Sequence, residues 1–148
     1  MTYEELISKA LEARKRAYTP YSHHSVGAAL LAANGDVYLG CNIENAGYTP
    51  TNCAERTAVF KAVSEGVHDF KAIAIVGGPE NSEHLELCAP CGVCRQVLNE
   101  FVDAESFDVI LGTHNTSNYK VFKLSELLPL GFGPKNMSFL EDYVKERR

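Results

Sequence analysis

The stretch VGAALLAANGDVYLGCNIE, residues 26–44, determines how the fold begins, because it holds two apolar runs joined at Asn34-Gly35. This dipeptide tolerates the positive φ angles that a tight hairpin turn requires. The stretch therefore predicts two antiparallel strands. It also places Cys41 within the second strand, where a cysteine is most simply a small buried hydrophobic residue.

Further elements are predicted on both sides of this hairpin. Thr2 and Glu5 form a capping box before apolar residues at helical spacing, which predicts a first helix over residues 3–17. A second helix is predicted from about Cys53, with Gly66 as its C-cap. The remaining chain predicts a buried strand in FKAIAIVGG (70–78), a third helix in CGVCRQVLNEF (91–101), two strands in FDVILG (107–112) and YKVFKL (119–124), and a terminal helix in MSFLEDYVKER (137–147).

The order of these elements predicts an α/β protein with one mixed sheet covered by helices. No repeat or linker divides the sequence, so we expect one domain over residues 1–148. Neither a signal peptide nor a membrane span is recognisable, which favours a cytoplasmic protein with no membrane partner. In that reducing compartment, five cysteines favour metal binding, catalysis or burial over disulfides.

The charge of the chain argues against a nucleic-acid partner. The formal net charge is −5, and the longest basic cluster is Arg14-Lys15-Arg16. A protein that grips a phosphate backbone usually presents a basic face or stripe. The basic cluster is more simply the solvated face of the first helix.

Three cysteines at two predicted helix starts indicate a zinc site. Cys91 and Cys94 lie one turn apart, a spacing that suits Zn²⁺ but would equally suit a redox dithiol or two buried thiols. Cys53 also lies at a helix start, and two helices that begin on one sheet edge would bring three thiolates together. Three protein ligands with one open position are typical of catalytic zinc.

The residues that follow Cys53 suggest acid–base chemistry. Glu55 could move the protons of a water at the open position, and C-x-E with P-C-x-x-C is the signature of zinc deaminases. Alternatively, Asn52 is an N-cap with Glu55 as its reciprocal partner, which would make the carboxylate structural. Arg56 and Arg95 could offset the net charge of −1 on three thiolates and Zn²⁺, and hydrogen-bond the sulfurs.

CNIEN (41–45), TNCAERTA (51–58) and APCGVCRQVL (89–98) resemble segments of the small homotetrameric cytidine deaminases. The resemblance implies a three-layer α/β/α sandwich with a five-stranded mixed sheet, a homotetramer, and one Zn²⁺ per subunit. It implies hydrolysis of cytidine and 2′-deoxycytidine to uridine and 2′-deoxyuridine plus ammonia, in pyrimidine salvage.

The resemblance also implies roles for individual residues. The zinc ligands would be Cys53, Cys91 and Cys94, with Glu55 as the proton shuttle. The substrate contacts would be Asn42, Glu44, His24 and Ala54, with Phe132 supplied by a neighbouring subunit. Cys88 would be a bystander outside the third helix, because Pro90 precedes Cys91.

One segment departs from the family pattern. Relatives commonly read YSxFPVG, whereas this chain reads YSHHSVG, with His24 and Ser25 at the altered positions. Histidine can still stack on a pyrimidine. An alternative substrate is therefore a cytidine substituted on N4 or on the ring. Alternatives from other classes are a thiol oxidoreductase that uses Cys91 and Cys94, and a structural zinc or nucleic-acid module.

Overall fold

A five-stranded mixed sheet forms the centre of the protein, and the computed structural model describes residues 1–137 and 140–147. The sheet order is β2-β1-β3-β4-β5. Only β3 and β4 pair in parallel among these neighbours, and the other pairs are antiparallel. The predicted mixed sheet is confirmed. Its strands are β1 (His24–Ala32), β2 (Val37–Cys41), β3 (Phe70–Pro79), β4 (Asp108–Leu111) and β5 (Lys120–Lys123).

The predicted hairpin is confirmed, although its loop is longer than a two-residue turn. The β1–β2 pairing runs from Gly27 opposite Cys41 to Leu31 opposite Val37. Of the central dipeptide, only Gly35 has a positive φ, at 97°. The side chain of Asn34 instead accepts a hydrogen bond from the backbone N–H of Asp36 at 2.9 Å. A left-handed conformation is therefore required at the glycine alone.

The helices are α1 (Tyr3–Arg14), α2 (Ala54–Ser64), α3 (Gly92–Phe101), a short α4 (Leu124–Leu127) and α5 (Leu140–Arg147). The capping box of Thr2 and Glu5 is present at the start of α1. This helix ends three residues earlier than predicted, because the amides that follow bond to carbonyls three residues back and tighten the last turn. Residues 138 and 139 of the predicted terminal helix lie outside the described residues.

The helices cover the two faces of the sheet in separate layers. On one face α1 buries Leu6, Ile7 and Ala10 against Ala29 and Ala74. On the other face, the buried cluster joins Ala58 and Val59 of α2 and Leu98 of α3 to Leu30 and Ile73 of the sheet. The predicted three-layer α/β/α sandwich is confirmed.

The direction of the strands brings the starts of α2 and α3 together. Both β2 and β3 run antiparallel to β1, so they end at the same edge of the sheet, where β1 begins. The chain enters α2 after β2 and enters α3 after β3. The predicted arrangement of two helices that begin on one edge is therefore observed.

Candidate metal centre and active site

Two of the three predicted zinc ligands are N-cap residues. Cys53 precedes α2 and Cys91 precedes α3, both in the extended conformation, and neither side chain makes a capping hydrogen bond. Ser, Thr, Asp and Asn are preferred at this position because their oxygens accept from the free N–H groups of the first turn. A thiolate can occupy the same place, where the positive end of the helix dipole favours a negative charge.

The sulfur atoms of Cys53, Cys91 and Cys94 lie within 4.8 Å of one another. The Cys53 and Cys91 sulfurs are 3.8 Å apart. Two sulfurs bound to one tetrahedral zinc at about 2.3 Å would be about 3.8 Å apart. Cys94 is buried, whereas Cys91 is exposed. The cluster is positioned to bind a metal ion, and its donor set fits Zn²⁺.

Arg56 supplies positive charge to this cluster. Its Nη2 donates a hydrogen bond to the Cys53 sulfur at 3.2 Å. Hydrogen bonding to Cys94 and then to Arg56 lowers the pKa of the Cys53 thiol to about 5, although burial opposes the change. The pKa of the Cys94 thiol is raised, chiefly by its hydrogen bond with Cys53 and then by burial. Cys53 is thus the thiol of this pair that ionises first.

The predicted hydrogen bond from Arg95 to a sulfur is not observed in the described part of the chain. Its Nε donates to the carbonyl of Pro90 at 2.8 Å, and its Nη1 donates to the carbonyl of Leu127 at 2.7 Å. Arg95 therefore fixes the segment before Cys91 to the end of α4. Two of its five N–H donors hold backbone carbonyls in place, and its role in offsetting the charge of the sulfurs stays a prediction.

Glu55 is buried beside the cysteines and is not a capping residue. Only 4% of the surface of Glu55 is exposed. The N-cap of α2 is Cys53, and the side chain of Asn52 donates to Thr57 Oγ1 at 3.1 Å. The alternative in which Asn52 and Glu55 cap the helix is therefore wrong. Burial, with the nearby charge of Cys53, raises the pKa of the Glu55 carboxyl to about 7. Such a group can both accept and donate a proton near neutral pH.

The segment that contains Asn42 and Glu44 runs beside the start of α2. Ile43 and Asn52 exchange two backbone hydrogen bonds, at 3.0 and 2.9 Å. The amide of Asn42 bridges to β1, accepting from Val26 N and donating to the His24 carbonyl, both at 2.9 Å. These contacts place Asn42 and Glu44 at the same sheet edge as the cysteines.

Of the other predicted substrate contacts, His24 and Ala54 lie at the cysteine edge of the sheet, whereas Phe132 lies elsewhere on the surface. His24 is the exposed first residue of β1, on the face that α2 and α3 cover. Ala54 is fully buried in the core, but its backbone N–H lies in the first turn of α2, where no intrahelical acceptor exists. Phe132 is 60% exposed, and Gln96 and Asn99 of α3 hold its carbonyl at 2.8 and 2.9 Å. The structure thus gathers His24 and Ala54 at the cysteine edge and leaves Phe132 on the surface of α3.

Cys88 lies close to the site, which the sequence did not predict. It is outside α3, as expected, and its sulfur packs closely against Gly77 of β3. A Cβ added at Gly77 would lie only 3.0 Å from that sulfur. Burial, and then the charges of Glu55 and Cys53, raise the pKa of the Cys88 thiol. Its predicted position outside α3 is confirmed, and it is not part of the cysteine cluster, but it lies near Glu55. The repeat C-x-x-C-x-x-C was a signal that could have suggested this proximity.

The site combines three sulfurs and a buried carboxylate at two helix starts on one sheet edge. This combination is typical of metal-dependent hydrolytic enzymes and differs from a structural zinc site, which is closed by four ligands. The family described as "Cytidine and deoxycytidylate deaminase zinc-binding region" matches residues 1–110. The chain therefore belongs to the cytidine and deoxycytidylate deaminase family, which is a family of enzymes.

Similar proteins agree with this assignment over most of the chain. A cytidine deaminase of Sporosarcina psychrophila is 48% identical, over 94% of this chain and 97% of its own length. One from Halalkalibacterium halodurans is 46% identical, over 93% and 99%. The crystal structure of cytidine deaminase from Burkholderia pseudomallei has a TM-score of 0.79 at 44% identity and covers 89% of this chain and 100% of its own. A thiol oxidoreductase and a structural zinc module are not supported.

Proposed function

We propose that this enzyme hydrolyses cytidine and 2′-deoxycytidine to uridine and 2′-deoxyuridine, with release of ammonia in pyrimidine salvage. The observation that carries the proposal is the buried carboxyl of Glu55 beside the sulfurs of Cys53, Cys91 and Cys94. The similar proteins reported above are named cytidine deaminases, which supports the choice of substrate.

The three cysteines would hold one Zn²⁺ per subunit, and the metal would activate a water for attack on C4 of the pyrimidine. Glu55 accepts one proton from the attacking water and delivers it to N3 of the ring. It then carries the second proton to N4, and the bond between C4 and N4 breaks as ammonia leaves. Arg56 keeps Cys53 ionised and offsets the negative charge of the sulfurs.

The sugar and base contacts are assigned to residues at the same edge. Asn42 retains one free amide N–H and one oxygen lone pair beyond its two contacts with β1, and Glu44 provides a carboxylate. These groups would pair with the hydroxyls of the sugar. His24 would pack against the ring, and the N–H of Ala54 would donate to a polar atom of the base.

The wider organisation follows from the same proposal. Residues 1–148 form one catalytic domain, and the enzyme is a cytoplasmic homotetramer without a nucleic-acid partner. No helix in the described part of the chain is long and apolar enough to cross a membrane. Leu130 and Phe132 are exposed at 105% and 60%, which suits a contact between subunits.

The decisive experiment follows the ultraviolet absorbance of cytidine with purified protein of known zinc content. We expect turnover by the natural protein and nearly none by Glu55→Gln, which should retain its zinc. Glu83→Gln removes an exposed carboxylate of a loop and is the matched control, with turnover unchanged. Full activity of Glu55→Gln would contradict the assigned role, and zinc-loaded protein that leaves cytidine intact would contradict the substrate.

A groove beside the site favours substituted cytidines as a second candidate. It has a volume of about 440 Å³ and is lined in part by His24, His84, Glu86 and Cys88. A substituent on N4 or on the ring could enter it. N4-methylcytidine should then release methylamine with a kcat/KM similar to that for cytidine. His24→Phe should lower kcat/KM for N4-methylcytidine relative to kcat/KM for cytidine. A preference for cytidine of more than about a hundredfold would exclude this candidate.

A further inference from the structure

The hydroxyl of Ser22 joins two residues that the proposed function places on different parts of the substrate. Ser22 lies in the turn between α1 and β1, 22 residues before Glu44. Its Oγ donates to Glu44 Oε2 and accepts from the backbone N–H of His24 at 3.0 Å. A single side chain therefore links the sugar-contact carboxylate to the first residue of β1.

The same turn determines how much of the Glu44 carboxylate remains free. Oε1 accepts from the backbone N–H groups of Tyr21 at 2.9 Å and Ser22 at 3.1 Å. With the Ser22 hydroxyl on Oε2, three of the roughly four lone-pair positions of the carboxylate are filled. The open position is on Oε2, beside the serine hydroxyl. Ser22 thus leaves one acceptor position of Glu44 open and limits the direction from which it can be reached.

The turn also keeps several hydrogen bonds that do not involve the Ser22 hydroxyl. Glu44 would still accept from the two backbone N–H groups if the hydroxyl were removed. Thr19 and Ser25 form a separate buried hydrogen bond of 3.2 Å between their hydroxyls. His23 adopts a left-handed conformation with φ of 55°, and its carbonyl accepts from Glu80 N at 2.7 Å. Loss of the hydroxyl should therefore loosen Glu44 without unfolding the turn.

We propose that Ser22 is a positioning residue, which orients Glu44 toward a sugar hydroxyl of the nucleoside and ties that contact to the backbone of His24. This inference rests on the proposed role of Glu44 in sugar binding. Because Ser22 acts through Glu44, its contribution should appear only with substrates that carry a hydroxyl for Glu44 to accept from. It should affect binding of the nucleoside and leave the chemical step at C4 unchanged.

The test compares Ser22→Ala with the natural enzyme on cytidine and on 2′,3′-dideoxycytidine, which lacks both secondary hydroxyls. We expect Ser22→Ala to raise KM for cytidine about tenfold, since a hydrogen bond to a charged group is weakened, with kcat changed less than about twofold. KM for the dideoxynucleoside should stay the same. Ser106→Ala removes an exposed hydroxyl that bonds only locally to Asp103, and it should change neither substrate's constants. Equal losses on both substrates, or a fall in kcat alone, would overturn the inference.

Glu44→Gln separates this inference from the proposed function. If Glu44 contacts the sugar, Glu44→Gln should reduce the discrimination between the two nucleosides, and adding Ser22→Ala should cause no further loss. If Glu44→Gln leaves the discrimination intact, the sugar role of Glu44 is wrong, and the inference falls with it. If Glu44→Gln removes the discrimination but Ser22→Ala does not, only the role of Ser22 is wrong.

Discussion

At the scale of single residues, the metal centre depends on which cysteines have converging sulfurs. Cys53→Ala should reduce bound zinc at least tenfold, because two remaining thiolates would share the metal with water. Metal analysis after dialysis against a weak chelator measures this. Cys41→Ala is the matched control, because Cys41 is half-buried at the end of β2 and outside the cluster. A full zinc complement in Cys53→Ala would remove this residue from the ligand set.

The sequence predicted the positions of the cysteines better than the use of the groups around them. Cys53, Cys91 and Cys94 could be found because N-cap placement and C-x-x-C spacing are local patterns. The partners of Arg95 could not, because the carbonyl of Leu127 is brought near by the tertiary fold. The same holds for Ser22 and Glu44, which are joined across two strands. The alternative capping role of Glu55 also rested on a local pattern. It is wrong because the N-cap of α2 is Cys53, one residue later than that pattern required.

At the scale of elements, the start of α2 is positioned by its close contact with β2. An added Cβ at Gly40 would lie 2.3 Å from the Ala54 carbonyl and 2.6 Å from Ala58 N. Both neighbours are helix backbone, so α2 must move. Gly40→Ala should lower the free energy of unfolding by about 1–3 kcal/mol. It should also weaken zinc binding, since Cys53 and Glu55 move with the helix.

Denaturant unfolding and zinc titration check the Gly40→Ala prediction. Gly92→Ala is the control, because its added Cβ would meet no heavy atom within 4 Å apart from its chain neighbours and the backbone of its own helix, although Gly92 stands between Cys91 and Cys94 in the chain. This control should keep both stability and zinc affinity. If Gly40→Ala were as stable as the natural protein, the contact between α2 and β2 would not be the constraint that positions the site.

The carboxylate of Asp108 in β4 connects α1 and β5, because it contacts Tyr3 of α1 and Lys123 of β5. Asp108 accepts hydrogen bonds from the Tyr3 hydroxyl and from Lys123 Nζ, the latter at 2.6 Å. The Lys123 and Tyr3 hydrogen bonds lower the pKa of the Asp108 carboxyl, although burial opposes the change. The hydrogen bond with Asp108 raises the pKa of the Tyr3 hydroxyl to about 12.

The sign of the pH dependence follows from the lowered pKa of Asp108. The ionised carboxylate stabilises the fold fully above its unfolded pKa of about 3.9, and this stabilisation is lost as the pH falls through the folded value. Asp108→Asn should therefore be less stable than the natural protein at pH 7, and the difference should shrink toward pH 3. Urea unfolding across this range measures it, with Glu83→Gln as the control for a lost surface charge. A difference that stays constant with pH would show that the contact does not depend on ionisation.

At the scale of the whole molecule, the sheet architecture could be predicted because its signals are periodic and local. Alternating strands and helices and the glycine of the hairpin turn indicated their elements correctly. Gly66, predicted as the C-cap of α2, instead follows the C-cap Glu65 and has a positive φ of 86°. The convergence of α2 and α3 required one further step, the shared direction of β2 and β3, which follows from their pairing with β1. The short α4 was missed because four residues show no helical periodicity. Exposed residues such as Phe132 carry no comparable signal, because they do not belong to the periodic apolar pattern of the core.

The final prediction concerns the proposed assembly, in which Phe132 of one subunit closes the site of another. Phe132 is 60% exposed, so Phe132→Ala should change the stability of a single chain little. It should instead raise KM for cytidine about tenfold, since buried aromatic contacts dominate such interfaces. Sedimentation at several protein concentrations would show whether subunit association weakens in parallel.

Mixing of variants tests whether the phenylalanine acts across subunits. Phe132→Ala subunits keep Glu55, and Glu55→Gln subunits keep Phe132, so hybrid assemblies contain sites with both residues intact. When the two proteins are unfolded and refolded together, cytidine turnover at low substrate concentration should exceed that of Phe132→Ala refolded alone in the same amount. The matched control mixes Phe132→Ala with the double variant Glu55→Gln, Phe132→Ala, which cannot supply the ring and should give no gain. If another subunit donates the ring, turnover should rise in the first mixture but not in the control mixture. Equal turnover in the two mixtures would mean that Phe132 acts within its own chain.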